Sequence, residues 1–431
     1  MRKPVSTYRL QFHGGFRFHD AHALIPYLSR LGITDCYSSP QLQASPGSTH
    51  GYNICDHRKL NDELGSREDY DRFTASLAAH GMGQILDIVP NHMGADPVAN
   101  PWWRDVLENG PSSPFADFFD IEWDPIKPEL KGKVLLPMLG DQYGQVLERG
   151  ELQLRYGHGA LSLQYFDTNL PVNPRQTPRI LAMDLERLQQ GREHDPGVRE
   201  YLSILTALQN LPAYTERDPV RIAERQREKE ATRERLARLA ADAPYILEHI
   251  ELSVTRANGI PGDRASYDDL HELLERQPYR LAYWRTAFDE INYRRFFDVN
   301  ELVGLCMEVP QVFEATHELV KSLLESGQVT GLRVDHPDGL FDPQTYFERL
   351  HRLTGDPPLY ILAEKILSHD ESPPAGWPVA GTTGYTFLNQ VSGLFIDPRA
   401  VKPLQRMYGR FTGRTQQFDE LAYECKRIIL L

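Results

Sequence analysis

The sequence predicts an α/β fold built from parallel strand–helix units, and three observations lead to that prediction. The first 93 residues alternate short β-rich apolar runs with amphipathic helical stretches, joined by short connections. Residues 329–339, VTGLRVDHPDG, begin as an apolar run and end in a cluster of charge: Arg333, Asp335, His336 and Asp338. Three acidic residues, Asp87, Asp335 and Glu364, fall at or just past expected strand ends. In parallel α/β folds the carboxyl ends of the strands are where chemistry sits. Charges gathered there are costly to desolvate unless they pair with each other or with a ligand.

Each element has its own signal. Residues 6–12 (STYRLQF) alternate like a strand, and His13-Gly14-Gly15 breaks the run. Residues 20–31 read as an amphipathic helix, with Gly32 where a helix ends. Residues 35–38 suit a second short strand. Residues 39–61 are rich in Pro, Gly, Ser and His and read as loop; they carry HGYNICD, with His50, Tyr52 and Asp56. Residues 66–79 return to helix, and 82–89 (MGQILDIV) make a third, strongly apolar strand ahead of Pro90-Asn91-His92. Much later, 312–326 and 344–353 read as helices. Val329, Leu332 and Val334 suit a buried strand, 359–363 suit another that delivers Glu364, and 377–381 suit a sixth.

Three segments follow from this: residues 1–93 with the first three units, 94–305 as an inserted region, and 306–431 with the later strands. The insertion is aromatic-rich to about Asp167 and mainly helical from about Thr177 to Gln277. Within it, residues 221–241 are dense in Arg and Glu and read as a solvated helix with i,i+4 pairs.

The chain has 431 residues, 41% apolar and 25% charged, which is the profile of a soluble globular protein. A net charge of −13 argues against nonspecific nucleic-acid binding and suits a neutral polar substrate. The four cysteines are scattered with no CxxC pair, so reduced thiols and a cytoplasmic location are expected. No apolar run is long enough to span a membrane. No cofactor or metal site follows, since His50 and His57 lack a suitably spaced third ligand.

Asp335 and Glu364 follow successive strands and could face each other. A carboxylate pair beside a sugar ring is what retaining glycosyl transfer needs: one attacks the anomeric carbon, the other protonates the leaving oxygen and later deprotonates the acceptor. Arg333 points to the same side of its strand as Asp335 and is expected to hold it ionised. The apolar approach of Ile361 and Ala363 is expected to raise the pKa of Glu364 toward that of a useful acid. Asp338 is expected to cap the turn made by Pro337 and Gly339.

These motifs amount to a resemblance. DIVPNH at 87–92, GLRVDHPDG at 331–339 and AEKIL at 363–367 resemble signature regions of the alpha-amylase superfamily of glycoside hydrolases. YRLQFHGGFRF, SPGSTHGYNICDH, INYRRFFDVNELVGL, GLRVDHPDGLFDP and WPVAGTTGY resemble one branch of it, the malto-oligosyltrehalose synthases. The resemblance implies a (β/α)8 TIM barrel with a long, mainly helical insertion after the third strand. It implies Asp335 as nucleophile and Glu364 as general acid/base, with Tyr52, Asp87, His92 and Arg333 supporting the sugar ring and His336 as a neighbouring contact. The implied reaction is intramolecular. The reducing-end alpha-1,4 link of a malto-oligosaccharide becomes an alpha,alpha-1,1 link, with water excluded.

The sequence departs from that pattern after Tyr385. No His-Asp pair follows a strand there, the last two barrel strands are not visible, and the chain stops at IILL. An incomplete barrel, with a missing C-terminal segment as a partner, is therefore expected. An alpha-amylase-type hydrolase and a non-catalytic glucan-binding fragment are the competing readings.

Overall fold

In the computed structural model, residues 3–353, 358–414 and 416–430 are described. Leu431, the last residue of the apolar tail, lies outside the described residues. The chain divides into two compact units: Met1–Lys365 with Pro374–Gly381, and Ile366–Pro373 with Thr382–Leu431.

The first unit is built on one sheet. Its strands are β1 (Thr7–Leu10), β2 (Asp35–Ser38), β3 (Gly83–Ile88), β4 (Gly331–Val334), β5 (Tyr360–Ala363) and the two-residue β6 (Gly381–Thr382), hydrogen-bonded in that order. The ladders from β1 to β5 are all parallel. Parallel neighbours need crossovers, and helices supply them. Helix α1 (Phe18–Arg30) buries Phe18, Ala21, Ile25 and Leu28, one stripe at helical spacing. Helix α2 (Arg67–Ala79) opens on a reciprocal cap between Ser66 and Asp69 and buries Tyr70, Phe73, Thr74 and Leu77. Helices α3 (Pro310–Glu325) and α4 (Pro343–Arg352) start with Pro at the first turn, where its missing N–H costs nothing. All six residues of β3 are buried, as expected for a strand covered on both faces. The arrangement is a partial (β/α) barrel.

Two expectations needed correction. Residues 39–61 are not all loop: Leu42–Ala44 pairs antiparallel with Ile54–Leu60. The Pro- and Gly-rich residues sit in the connection between these strands and masked the apolar positions, including buried Ile54 and Cys55. The sixth strand is Gly381–Thr382 and not 377–381; Trp377 packs on Phe347 instead, with ring centroids 5.0 Å apart.

The segment between β3 and β4 is mixed. Val134–Leu139 pairs with Tyr279–Tyr283, and Leu152–Gly157, Ala160–Tyr165 and Thr168–Pro171 form an antiparallel meander. Helices concentrate between Pro178 and Glu275. The Arg- and Glu-rich stretch is the helix Pro219–Asp242, and it is not solvated all round. Arg225, Lys229, Thr232, Leu236 and Ala240 are buried. Lys229 Nζ reaches Glu108 at 2.6 Å and Asp105 at 3.1 Å, and Arg233 also pairs with Glu108. Arg225 donates to Asn109, Pro212 and Asn173. The charges on that face are fully partnered across the fold, which is why burial is tolerated.

The second unit carries three helices, Tyr385–Leu394, Val401–Thr412 and Phe418–Leu430, none with a buried residue. Among the described residues no helix is long and apolar enough to cross a membrane.

Candidate active site

Register alone assembles the centre. In the β3–β4 ladder Arg333 lies directly beside Asp87, and the β4–β5 ladder sets Val334 beside Ala363. Asp335 and Glu364 are therefore the first residues off the ends of neighbouring strands, anchored by Asp335 N–H to Ile88 and Glu364 N–H to Val334. Strand alternation turns Arg333 and Asp335 to the same face. The guanidinium of Arg333 then reaches three carboxylates. Its Nη1 lies 2.7 Å from Asp87 Oδ1 and 2.7 Å from Asp335 Oδ1, and its Nη2 lies 2.7 Å from Glu364 Oε1. One planar fork holds both Asp335 and Glu364, so the bound oxygens lie within about 8 Å of each other.

Asp87 is the inner member. Tyr52 Oη donates to its Oδ2 at 2.6 Å and Tyr37 Oη at 2.9 Å, while Arg9 approaches at 3.4 Å. Arg9 also donates to Tyr52 Oη and lies over the Tyr37 ring. Arg9 and Tyr37 were not singled out from the sequence. Nothing local in the sequence marks them; they come together as register partners in the β1–β2 ladder.

His336 adopts the left-handed backbone region, φ 44°, which His tolerates better than most residues. This turn aims its N–H at Glu364 Oε2, 3.0 Å away. A Cβ on Gly339 would stand 2.5 Å from both Asn91 Oδ1 and the His336 ring, so a larger residue there would have to displace one of these side chains. His92 is buried on the short strand His92–Gly94, its ring 4.5 Å from that of Phe296, which also meets His336 at 5.1 Å. Asn91 beside it accepts from Arg294 Nη1 at 2.7 Å; Arg294 also binds Leu305 O and Asp120.

The structure thus gathers Tyr52, Asp87, Arg333, Asp335 and Glu364 in one hydrogen-bonded cluster, which His336 joins through its N–H to Glu364, with His92 linked to His336 through the Phe296 ring. Two electrostatic expectations were wrong. Arg333 does not leave Asp335 with an ordinary acidity. Burial, together with the negative charges of Asp87 and Glu364, outweighs Arg333 and pushes the Asp335 carboxyl up to about 7. Glu364 does not end in an apolar setting, since its two oxygens meet the Arg333 guanidinium and the His336 amide. Asp338 pairs with Lys365 at 3.0 Å rather than capping its own turn. Burial raises Asp87 as well, against the pull of Arg333 and the two tyrosines. Burial keeps His92 neutral, its pKa lowered to about 3.

Parallel strands, crossover helices and acidic strand ends define the class: an alpha-amylase-type catalytic domain, whose family model, the alpha amylase catalytic domain, matches residues 22–148. Within that class the chain is similar over most of its length to maltooligosyl trehalose synthases. A Mycobacterium tuberculosis protein named as a maltooligosyl trehalose synthase is 33% identical over 407 residues, 93% of this chain and 40% of the relative. The solved maltooligosyltrehalose synthase of Arthrobacter ramosus superposes with TM-score 0.70 at 32% identity, over 99% of this chain and 43% of that one. A solved glycosyltrehalose synthase superposes with TM-score 0.70 at 31% identity, over 99% and 46%. The chain spans about 40% of the length of the curated relatives it matches.

Proposed function

We propose that this chain carries the catalytic carboxylates of an intramolecular transglucosylase. It would convert the reducing-end alpha-1,4 link of a malto-oligosaccharide into an alpha,alpha-1,1 link, in trehalose biosynthesis from glucan. One observation carries the reading: Asp335 and Glu364 leave adjacent strand ends and share the Arg333 guanidinium. Asp335 attacks the anomeric carbon once ionised. Glu364 protonates the leaving oxygen, then deprotonates the anomeric hydroxyl of the released glucose as that hydroxyl attacks in turn. Tyr52, Asp87, Arg333 and His92 grip the ring before the cut, and His336 borders it. Residues 1–93 and 306–381 supply the barrel, and the insertion 94–305 covers the site against water.

Incubation of the chain with maltopentaose tests this. Loss of reducing ends without release of glucose is the expected result. Released glucose with rising reducing power would assign ordinary hydrolysis. Binding without any product would assign a non-catalytic glucan-binding role.

A further inference from the structure

The end of strand β1 brings to the site two polar side chains that the proposed chemistry leaves unused: Arg9, and Gln11 just past the strand. Two residues apart, they fall on one face of the extended chain. Arg9 Nη2 donates to Gln11 Oε1 at 3.1 Å and to Tyr52 Oη at 3.0 Å, while its Nη1 stands 3.4 Å from Asp87 Oδ2. The Asp87 charge is met more closely by Arg333, at 2.7 Å. The shorter bond of Arg9, to Tyr52, therefore marks what it holds. Arg9 is itself steadied by the Tyr37 ring, whose centroid lies 4.5 Å from its Cζ. With its carbonyl oxygen engaged by Arg9, Gln11 turns its amide to the neighbouring loop, Nε2 3.3 Å from both Thr49 O and His50 O.

These contacts converge on one short stretch, residues 49–52, the tip of the connection between Leu42–Ala44 and Ile54–Leu60. The base of that connection closes on itself: Ser45 N–H donates to Asn53 O at 3.0 Å and Ser48 Oγ to Asn53 Oδ1 at 2.6 Å. At the tip, Gly51 N–H bonds Ser48 Oγ and Tyr52 N–H bonds His50 Nδ1, each at 3.1 Å. Neither of these bonds reaches the sheet. Arg9, Gln11 and Asp87 supply ties that do. Tyr52 Oη donates to Asp87 and accepts from Arg9, so both roles of the hydroxyl are filled. The ring is thereby set 5.9 Å from the Arg333 guanidinium. A loose tip would have to be ordered by the sugar at the expense of affinity, whereas a tip ordered beforehand avoids that cost.

We propose that Arg9, with Gln11, is a positioning clamp that orders residues 49–52 and sets the Tyr52 ring for the sugar. It rests on the proposed function only for what Tyr52 grips. Hydrogen exchange at the Gly51 and Tyr52 amides, followed by NMR, tests the clamp, and calorimetric titration with maltopentaose tests its use. In Arg9→Met both amides exchange about tenfold faster while those of β3 hold, and maltopentaose binds about tenfold more weakly. In turnover KM rises by that factor and kcat is little changed. Arg9→Lys keeps a donor for Tyr52 but has no fork to reach Gln11 as well, and falls between. On a Tyr52→Phe background, which lacks the hydroxyl, Arg9→Met weakens sugar binding much less. Unchanged exchange at Gly51 and Tyr52 overturns the proposal, and so does unchanged maltopentaose affinity in a chain whose tip has loosened. Where Arg9→Met speeds exchange in β3 as well, Gln11→Leu decides: faster exchange at the tip alone supports the clamp, and no change there overturns it. A parent chain that binds no maltopentaose yet shows the exchange response supports the clamp and counts against the proposed function.

Discussion

Two buried charge clusters in this molecule use the same residue types and reach opposite electrostatic outcomes. In the insertion, Lys229 and Arg233 meet Glu108, with Asp105 alongside. Burial opposes ionisation of Glu108, but the two cations outweigh it and hold its carboxyl below the usual range; Lys229 is raised in return. Every charge there is more stable for having its neighbours. At the strand ends one buried guanidinium serves three carboxylates, and burial wins: Asp87 and Asp335 both rise. The second cluster is left short of positive charge at the carboxyl ends of the strands. A cluster that satisfies itself holds a fold together, whereas one that does not is poised for a substrate.

The contrast can be broken by substitution. The largest effect is expected at the strand ends, on activity and not on stability. Asp335→Asn or Glu364→Gln lowers formation of trehalose-ended product about 10³-fold or more, read by reducing-end assay, with little change in thermal midpoint. Lys229→Met should do the reverse. It removes the buried cation from Asp105 and from one oxygen of Glu108, leaving Arg233 alone on Glu108, and costs about 3 kcal/mol, measured by denaturant unfolding; an unfolding curve matching the parent would show that the insertion cluster is not structural.

A subtler difference should appear in titration. The Asp335 carboxyl, followed by NMR, titrates near pH 7, and Glu364→Gln moves it down because a neighbouring negative charge is gone. Folded Asp335 keeps a proton that the unfolded chain releases near pH 4. Its contribution to stability therefore declines as pH rises from about 4 through 7. A pH effect of the opposite sign concerns His57, fully enclosed and stacked on Trp102, its pKa lowered by burial to about 3. Unfolding lets it gain a proton, so stability is lost as pH falls below about 6.5. His57→Phe should move the acid unfolding midpoint to lower pH, with no change at pH 8.

Much of this was legible in the residues. Apolar runs ended by Pro or Gly gave β3 and β4 nearly to the residue, and the alternation of Arg333 and Asp335 was enough to place them on one face. What could not be read was anything set by register between distant strands. Arg9 and Tyr37 join Asp87 only because β1, β2 and β3 align, and no local pattern marks them. The burial of Arg225 and Lys229 was hidden for the same reason: their partners Asn109 and Glu108 lie more than 100 positions away. The acidity of Asp335 was misjudged because the sequence showed its adjacent cation and its acidic neighbours but not the depth of its burial, the largest cause of the rise.

Arg294 has a consequence for how such a domain can vary. Its single guanidinium ties Asn91 at the entrance of the insertion, Asp120 just inside and Leu305 at the exit. Gly304 is packed so closely that a methyl group there would stand 2.6 Å from its Cζ. Both ends of a two-hundred-residue excursion are thus stitched at one point next to His92. Doubling the length of a loop within it costs only about 0.6 kcal/mol in closure entropy. A change of length inside the excursion therefore leaves the neighbourhood of His92 in place.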